Sequence, residues 1–273
     1  MIWVRGQIVP DDALTISVLD RTFEHGLGLF ETLRTWNGHP TLLPRHLDRL
    51  TRSAGALGLP LELSALPDAR DIQALLQADG RTGDAVVRIT LSGGISQTHG
   101  STLWMRSFPL PEPSEEGVVL GPVRPARGDS LAAYKTLSYW PNRLMYEEAR
   151  QGGFDECVTI SPDGLLWEAS RSNLFMVVAG EVLTPPCTGR ILPGIMRGLI
   201  LERGAKIGLE VSESPLGLLD RLLRPDEIFL TNAVRGIVPV RRWGDACYPA
   251  PGPVTRQLWT EISGWLESGG TTS

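Results

Sequence analysis

The chain has 273 residues, 42% of them hydrophobic, and a formal net charge of -5 at pH 7. That length and composition allow one large or two modest domains with a sizeable buried core. The acidic balance excludes the basic footprint of a nucleic-acid binder, and no apolar run reaches the length a membrane span needs.

In chain order, MIWVRGQIVP reads as a strand and turn. FETLRTW, NGH and PTLL form a hairpin signal, because Asn37-Gly38 supplies the positive-φ residues of a tight turn. LPRHLDRLTRSAGALGL has apolar residues at helical spacing and stops at Gly58-Leu59-Pro60. ARDIQALLQADG is a second amphipathic helix closed by Gly80, and DAVVRITLSGG and TLWMRSFPL are strands. Prolines and charges crowd residues 110–130, with a strand expected at Val118–Leu120. PNRLMYEEARQGG is a helix with a Gly-Gly stop. DECVTISPDGLLWEASRSNLFMVVAGEVLTPP reads as strands joined by SPDG and AGE turns. LPGIMRGLILERGAKIGL is a helix with Pro193 and Gly194 at its start. LGLLDRLLRPDEIFLTNAVRGIVPVRRW gives a short helix, a strand and a closing segment, and TRQLWTEISGWLES is a terminal helix. This order implies an α+β chain in two parts: a small N-terminal α/β domain (1–112), a linker (113–128) and a larger C-terminal domain (129–273). No charged-then-apolar leader precedes the first strand-like segment. Cys157, Cys187 and Cys247 lack metal spacing and read as thiols in a reducing cytosol, so a cytoplasmic protein without a metal site is expected.

Of the 26 Lys and Arg residues only two, Lys135 and Lys206, are lysine. A lysine kept against such an arginine preference can do what arginine cannot, namely lose its proton and act as a nucleophilic amine. Lys206 lies in the polar stretch LERGAKIGLE and reads as a surface charge. Lys135 lies among apolar and aromatic residues in AAYKTLSYW, where an amine can be desolvated; a plain surface charge is the competing reading. A phosphate-bearing carbonyl cofactor is the natural partner of a Schiff-base lysine. LPGIMR offers a loop-to-helix junction whose free N–H groups suit a phosphate, or it is an ordinary helix start. Glu168 ends an apolar strand, where it holds a protonated ring nitrogen or is simply an edge residue. Arg49 falls on the helix face opposite the obvious core positions and by itself reads as solvated. His25 is an acid–base group or a turn residue. There is no P-loop, and GLGLFE lacks the third glycine of a dinucleotide fingerprint.

Taken together and in order, DRTFEHGLGLFETLR, RHLDRL, KTLSYWPNRL, WEASRSNLF, LPGIMR and FLTNAVRGIVPV resemble the class IV aminotransferases, across about residues 1–242. These are fold-type IV enzymes dependent on pyridoxal 5'-phosphate. They include branched-chain and D-amino-acid aminotransferases and 4-amino-4-deoxychorismate lyase. The resemblance implies a C-terminal domain built around a β-barrel, a homodimer and a small amino-bearing carboxylic acid as substrate. Lys135 matches the lysine that forms the Schiff base and shuttles protons. Glu168 matches the carboxylate on the pyridine nitrogen, which keeps the ring an electron sink. Arg49, Ile195 and Met196 match residues that bind the phosphate, the last two through backbone amides. Tyr139 falls near where some members place a tyrosine beside the ring oxygen, and His25 where several carry a tyrosine lining the substrate pocket.

The motifs also bear on which member this is. L-branched-chain enzymes typically place that tyrosine five residues after the lysine; here it comes at four, as in the lyase and D-amino-acid branches. Asn232-Ala233 resembles the Asn-Ala or Asn-Ser pair of the lyases, where many transaminases have Gly-Thr or Ser-Thr. The arginine-rich RGxGxRGY-type loop of lyases is replaced by SGGISQTHG, whose His99 falls near a carboxylate-trap histidine while Gln97 takes the place of the trap arginine. Arg88, in VVRITL, is the candidate substitute carboxylate ligand. The resemblance therefore implies first a 4-amino-4-deoxychorismate lyase feeding folate synthesis. An amino acid aminotransferase of branched-chain or D type, and an inactive cofactor-binding homologue acting as a scaffold, are the alternatives.

Overall fold

A computed structural model describes residues 1–112, 116–126, 128, 130–217 and 224–268. The chain divides into two compact units. One comprises Met1–Pro111 with Tyr134–Ser138, the other Glu112–Ala133 with Tyr139–Ser268. Residues 113–115 and 127 of the expected linker lie outside the described residues.

In the first unit the strands are β1 (Ile2–Val4), β2 (Gln7–Val9), β3 (Gly28–Trp36), β4 (His39–Pro40), β5 (Ala85–Ser92) and β6 (Leu103–Pro109). They form one sheet in the order β2-β1-β6-β5-β3-β4, each neighbour pair antiparallel. Hairpin geometry follows the sequence signal: Asn37 and Gly38 take φ of 50° and 76°, matching the strand twist. The second arm of that hairpin is shorter than PTLL suggested, because the chain turns into a helix at Leu43. The helices are α1 (Arg21–His25), α2 (Leu43–Ala56) and α3 (Ala69–Ala78). Asp68 caps α3 in a reciprocal capping box with Asp71, satisfying otherwise unpaired N–H groups of the first turn. Apolar residues of α2 and α3 (Leu50, Ala54, Ile72, Leu75) pack with Leu33, Val87 and Met105 of the sheet.

The second unit contains β7 (Val118–Leu120), β8 (Arg124–Pro125), β9 (Val158–Ile160), β10 (Leu165–Ala169), β11 (Asn173–Val178), β12 (Glu181–Thr184), β13 (Val211–Glu213), β14 (Leu216–Gly217), β15 (Glu227–Asn232), β16 (Gly236–Trp243) and β17 (Ala246–Cys247). Its helices are α4 (Trp140–Gln151), α5 (Ile195–Lys206) and α6 (Pro253–Glu267). Strands run in the order β16-β15-β11-β10-β9, and β7 pairs with β16. A parallel bridge, Leu120↔Glu156, joins β7 to the segment leading into β9, with Gly121 donating to the Glu156 carbonyl at 2.8 Å. The path of strands thus returns on itself, which is the expected barrel. Its interior holds Val118, Leu120, Val158, Leu166, Leu174, Met176, Ile228, Leu230 and Val240. The short helix expected after Leu216 falls largely on residues 218–223, outside the described residues.

Candidate active site

Lys135 is held in the first unit by the edge of β3. Phe30 N–H donates to the Lys135 carbonyl at 2.9 Å, and Leu137 N–H donates to the Gly28 carbonyl at 3.0 Å. Gly28 permits this close approach: it takes φ of 142°, and a Cβ there would meet the Leu137 side chain and, at 2.7 Å, the Leu91 carbonyl. Lys135 is half-buried, with Nζ 4.4 Å from the centre of the Phe30 ring. The Arg88 guanidinium lies 3.8 Å from the same ring, the one half-exposed side chain in the otherwise buried β5.

Successive strand residues point to opposite faces, so Glu31 turns away from Phe30 and towards α2. His46 and Arg49, three residues apart on one face of α2, meet it there. Arg49 grips Glu31 in a fork: Nε donates to Oε1 at 2.8 Å and Nη2 to Oε2 at 2.7 Å. His46 Nδ1 lies 2.7 Å from Glu31 Oε2. All three side chains are buried, Arg49 at 6% exposure. That corrects the reading of Arg49 as solvated. Its helix face looked polar because the carboxylate it packs against sits 18 residues earlier. Burial by itself would push the Glu31 carboxyl up, but the hydrogen bonds and charges of His46 and Arg49 hold it down at about 2. For His46, burial outweighs the pull of Glu31 and, with the charges of Arg49 and Lys135, lowers its pKa. The imidazole is therefore neutral at pH 7, and because an ionised Glu31 only accepts, its proton sits on Nδ1.

His25 and His99 are both exposed. His25, the last residue of α1, has Nε2 3.7 Å from Glu24 Oε2. His99 Nδ1 lies 2.7 Å from Ser96 Oγ, within its own loop. That SGGISQTHG loop is anchored by Arg21, which donates to the carbonyls of Gly93, Gly94 and Ser96.

In the second unit, Glu168 and Asn173 face each other as the last pair of the β10–β11 hairpin. Glu168 Oε2 accepts the Leu192 N–H at 3.1 Å and the Asn173 amide at 3.3 Å, and the same amide donates to the Leu192 carbonyl at 2.9 Å. The carboxylate is thereby tied to the loop that opens α5. That helix begins at Ile195 behind Gly194, which makes no side-chain cap. Its first N–H groups, including those of Ile195 and the buried Met196, point to the positive end of the helix dipole and suit an anion. Asn232 completes the cluster. Its Oδ1 accepts the N–H groups of Val234 and Arg235 (3.0 and 2.8 Å), shaping the turn through Ala233, and its Nδ2 donates to Ser172 Oγ at 3.0 Å. Tyr139, half-buried, is the residue before α4.

The first unit therefore holds two groupings, Lys135 with Arg88 over Phe30 and Arg49 with His46 on Glu31, and the second holds Glu168 with the α5 start and Asn232. Taken unit by unit, the first offers an amine of the kind an aromatic aldehyde needs, and the second a tethered carboxylate and an uncapped helix start of the kinds that a ring nitrogen and a phosphate need. Glu31, His46 and Asn173 were passed over in the sequence. Their signals were an acidic residue in an apolar strand, a His-x-x-Arg spacing on a helix, and an asparagine directly after a strand turn.

Gly194 gives a sharp test of this bracing. A Cβ there would land on Asn173 Oδ1. The asparagine is buried and already bonded twice, so it can yield only by releasing Glu168 and Leu192. Gly194→Ala is expected to weaken cofactor affinity by about ten- to a hundredfold, the size seen for outer-shell losses in ligand sites. Spectrophotometric titration with cofactor measures it, and an unchanged dissociation constant would show that the Asn173 brace does not matter.

The family model for amino-transferase class IV matches residues 28–243 of the chain. A protein provisionally named as a branched-chain-amino-acid aminotransferase in Methanocaldococcus jannaschii is 30% identical over 250 residues, covering 88% of this chain and 86% of its own length. The aminodeoxychorismate lyase of Bacillus subtilis is 30% identical over 263 residues, covering 91% of this chain and 88% of its own. Among solved structures, a T.th. branched-chain amino acid aminotransferase with pyridoxamine 5'-phosphate superposes with a TM-score of 0.83 at 22% identity, over 98% of this chain and 94% of that one.

Proposed function

This chain belongs to the class IV aminotransferase family and is a pyridoxal 5'-phosphate enzyme of fold type IV, and from that premise we propose that it converts 4-amino-4-deoxychorismate to 4-aminobenzoate and pyruvate. The observation that supports this reading over transamination is the Asn232–Ala233 turn. Asn232 spends its side chain on its own turn and on Ser172, and Ala233 has no hydroxyl to offer where many transaminases have threonine. The finer specificity also draws on Tyr139, four residues after Lys135.

When bound, the cofactor supplies a conjugated ring that disperses negative charge from the substrate carbon. Lys135 would be its covalent anchor, Glu168 would accept the ring N–H, and Arg49 with the amides of Ile195 and Met196 would hold the phosphate. Glu168 suits that role because Leu192 N–H and Asn173 fix its orientation before any ligand arrives. Lys135 Nζ, which lies over the Phe30 ring, would take the proton from the carbon bearing the substrate amine. In the lyase reaction the departing enolpyruvyl group receives a proton and leaves as pyruvate while the ring aromatises. Arg88, over Phe30, and His25 and His99 are proposed to line the substrate side. The working form is proposed to be a cytoplasmic homodimer. Each unit has exposed apolar side chains that a second copy would cover: Val18, Leu19 and Phe23 in the first, Trp140 and Leu144 in the second. Among the described residues no helix is long and apolar enough to cross a membrane.

A second reading, an amino acid aminotransferase, is favoured by the branched-chain relatives; there Lys135 would redeliver the proton and the product would be a keto acid. The scaffold alternative falls with membership of an enzyme family and with the intact set of Lys135, Glu168 and Arg49. Product analysis of the cofactor-loaded protein, given aminodeoxychorismate made in situ beside a known lyase, decides between them. 4-Aminobenzoate and pyruvate at enzymatic rates are expected. Their absence while the control works rejects the lyase, and turnover of L- or D-amino acids with keto-acid acceptors then identifies the transaminase.

A further inference from the structure

Two arginines at the tips of neighbouring hairpins take no part in the site described so far. Asn173 pairs with Thr231, so the β10–β11 loop (170–172) and the β15–β16 turn (233–235) project from the same end of the sheet. The Ser172–Asn232 hydrogen bond ties one to the other. Arg171 stands just before Ser172, and Arg235 closes the Asn232 turn. Arg171 lies over Tyr146, 3.4 Å from the ring centre, with Nε 3.8 Å from Glu156 Oε2. Arg235 is half-buried and faces Arg171, Glu156, Tyr146 and Asp155.

Between them the two guanidiniums carry ten N–H groups. Among the described residues none of these donates a hydrogen bond to a protein acceptor. Two carboxylates lie nearby and both are engaged: Asp155 accepts from Val119 N–H and Arg150, and the fully buried Glu156 accepts through Oε1 from the hydroxyl and N–H of Ser170 and from Cys157 N–H. Its Oε2 has no hydrogen bond. Two like charges thus lie beside carboxylates whose hydrogen bonds go to other donors; Arg171 approaches Glu156 Oε2 at 3.8 Å. Burial, and then the charge of Arg171, lower the Arg235 pKa, as expected for cations held close together. A planar carboxylate matches the guanidinium fork and would satisfy these donors. The position is also right: Arg171 is three residues beyond Glu168, within about 10 Å along the chain.

We propose that Arg171 and Arg235 together receive the second carboxylate of a dicarboxylic substrate. The proposal rests on the reaction taking place beside Glu168, and it narrows the substrate class. Aminodeoxychorismate is such a dicarboxylate, and so is an amino dicarboxylic acid used by a transaminase.

The test is calorimetric titration of the cofactor-loaded protein with glutarate, pentanoate and sulfate, none of which carries an amine to react. Glutarate should bind at least about tenfold more tightly than pentanoate. Arg171→Gln and Arg235→Gln should each remove about tenfold from glutarate alone, at unchanged cofactor absorbance. A wild-type protein that does not distinguish glutarate from pentanoate overturns the proposal without any variant. So does sulfate binding as tightly as glutarate. Variants that keep full glutarate affinity but change the sedimentation coefficient also overturn it, and assign the pair to a contact between copies. No turnover is involved, so a failed lyase assay with intact glutarate selectivity rejects only the lyase, and the converse rejects only the arginine pair.

Discussion

Lys135→Ala is expected to abolish turnover, by about four orders of magnitude or more, the usual scale when the covalent and proton-transferring group of an enzyme is removed. Lys135 is one of two lysines in the chain, and no nearby basic residue can replace it: Arg88, over the same Phe30 ring, keeps its proton and cannot act as a nucleophile. The fold should survive, because the segment is held by backbone bonds from Phe30 and to Gly28, which alanine retains. The variant should also lack the visible absorbance of covalently held cofactor, while the Glu168 and α5 contacts leave it some reversible affinity. Stopped assays on each substrate, together with absorbance spectra, read both. Residual turnover within a hundredfold of wild type would remove Lys135 from the chemistry.

Glu31→Gln should lower stability by about 3–5 kcal/mol, the cost of leaving one member of a buried ion pair without its partner. Glutamine cannot answer both nitrogens of Arg49 with charge, and it leaves His46 Nδ1 a neutral acceptor at best. The pH dependence gives an independent check. A carboxyl whose pKa falls from 4.5 to about 2 on folding contributes about 3 kcal/mol, present above pH 4.5 and lost as pH drops towards 2. His46, with its pKa lowered below 6.5 by burial, contributes in the same direction: its share is complete above pH 6.5 and declines as protonation of the unfolded chain takes over. Wild-type stability should therefore begin to fall below pH 6.5 and steepen below 4.5, with Glu31→Gln flatter in the lower window. Thermal unfolding from pH 7 to 3 measures it. Parallel curves for the two proteins would mean that Glu31 is not held ionised by His46 and Arg49.

Much of the architecture could be read from short stretches. Asn37-Gly38 marked its turn, Val118–Leu120 its strand, and the apolar spacing of Leu43–Ala56 and Ala69–Ala78 their helices. Turn dihedrals, capping and helical periodicity depend on neighbours within a few residues, so the chain order carries them. The rarity of lysine in an arginine-rich chain likewise singles out Lys135, because a choice of side-chain chemistry is written in composition. Ordered motifs are what the proposal rests on in assigning Lys135, Glu168 and the α5 start to the cofactor.

Other features depended on pairings between distant residues. Arg49 looked solvated until β3 brought Glu31 against α2. The Lys135 segment is held on β3 through Leu29 and Thr136, more than a hundred positions apart, and the barrel closes where Leu120 meets Glu156. Arg171 and Arg235 are 64 positions apart and become neighbours only because β11 lies beside β15. Local elements and the identity of the reactive groups are legible in the chain order, since both follow from short-range sterics and side-chain chemistry. Which charges are buried together, and which like charges become neighbours, is a property of the folded sheets, because burial and Coulomb energies depend on distances that only their closure establishes.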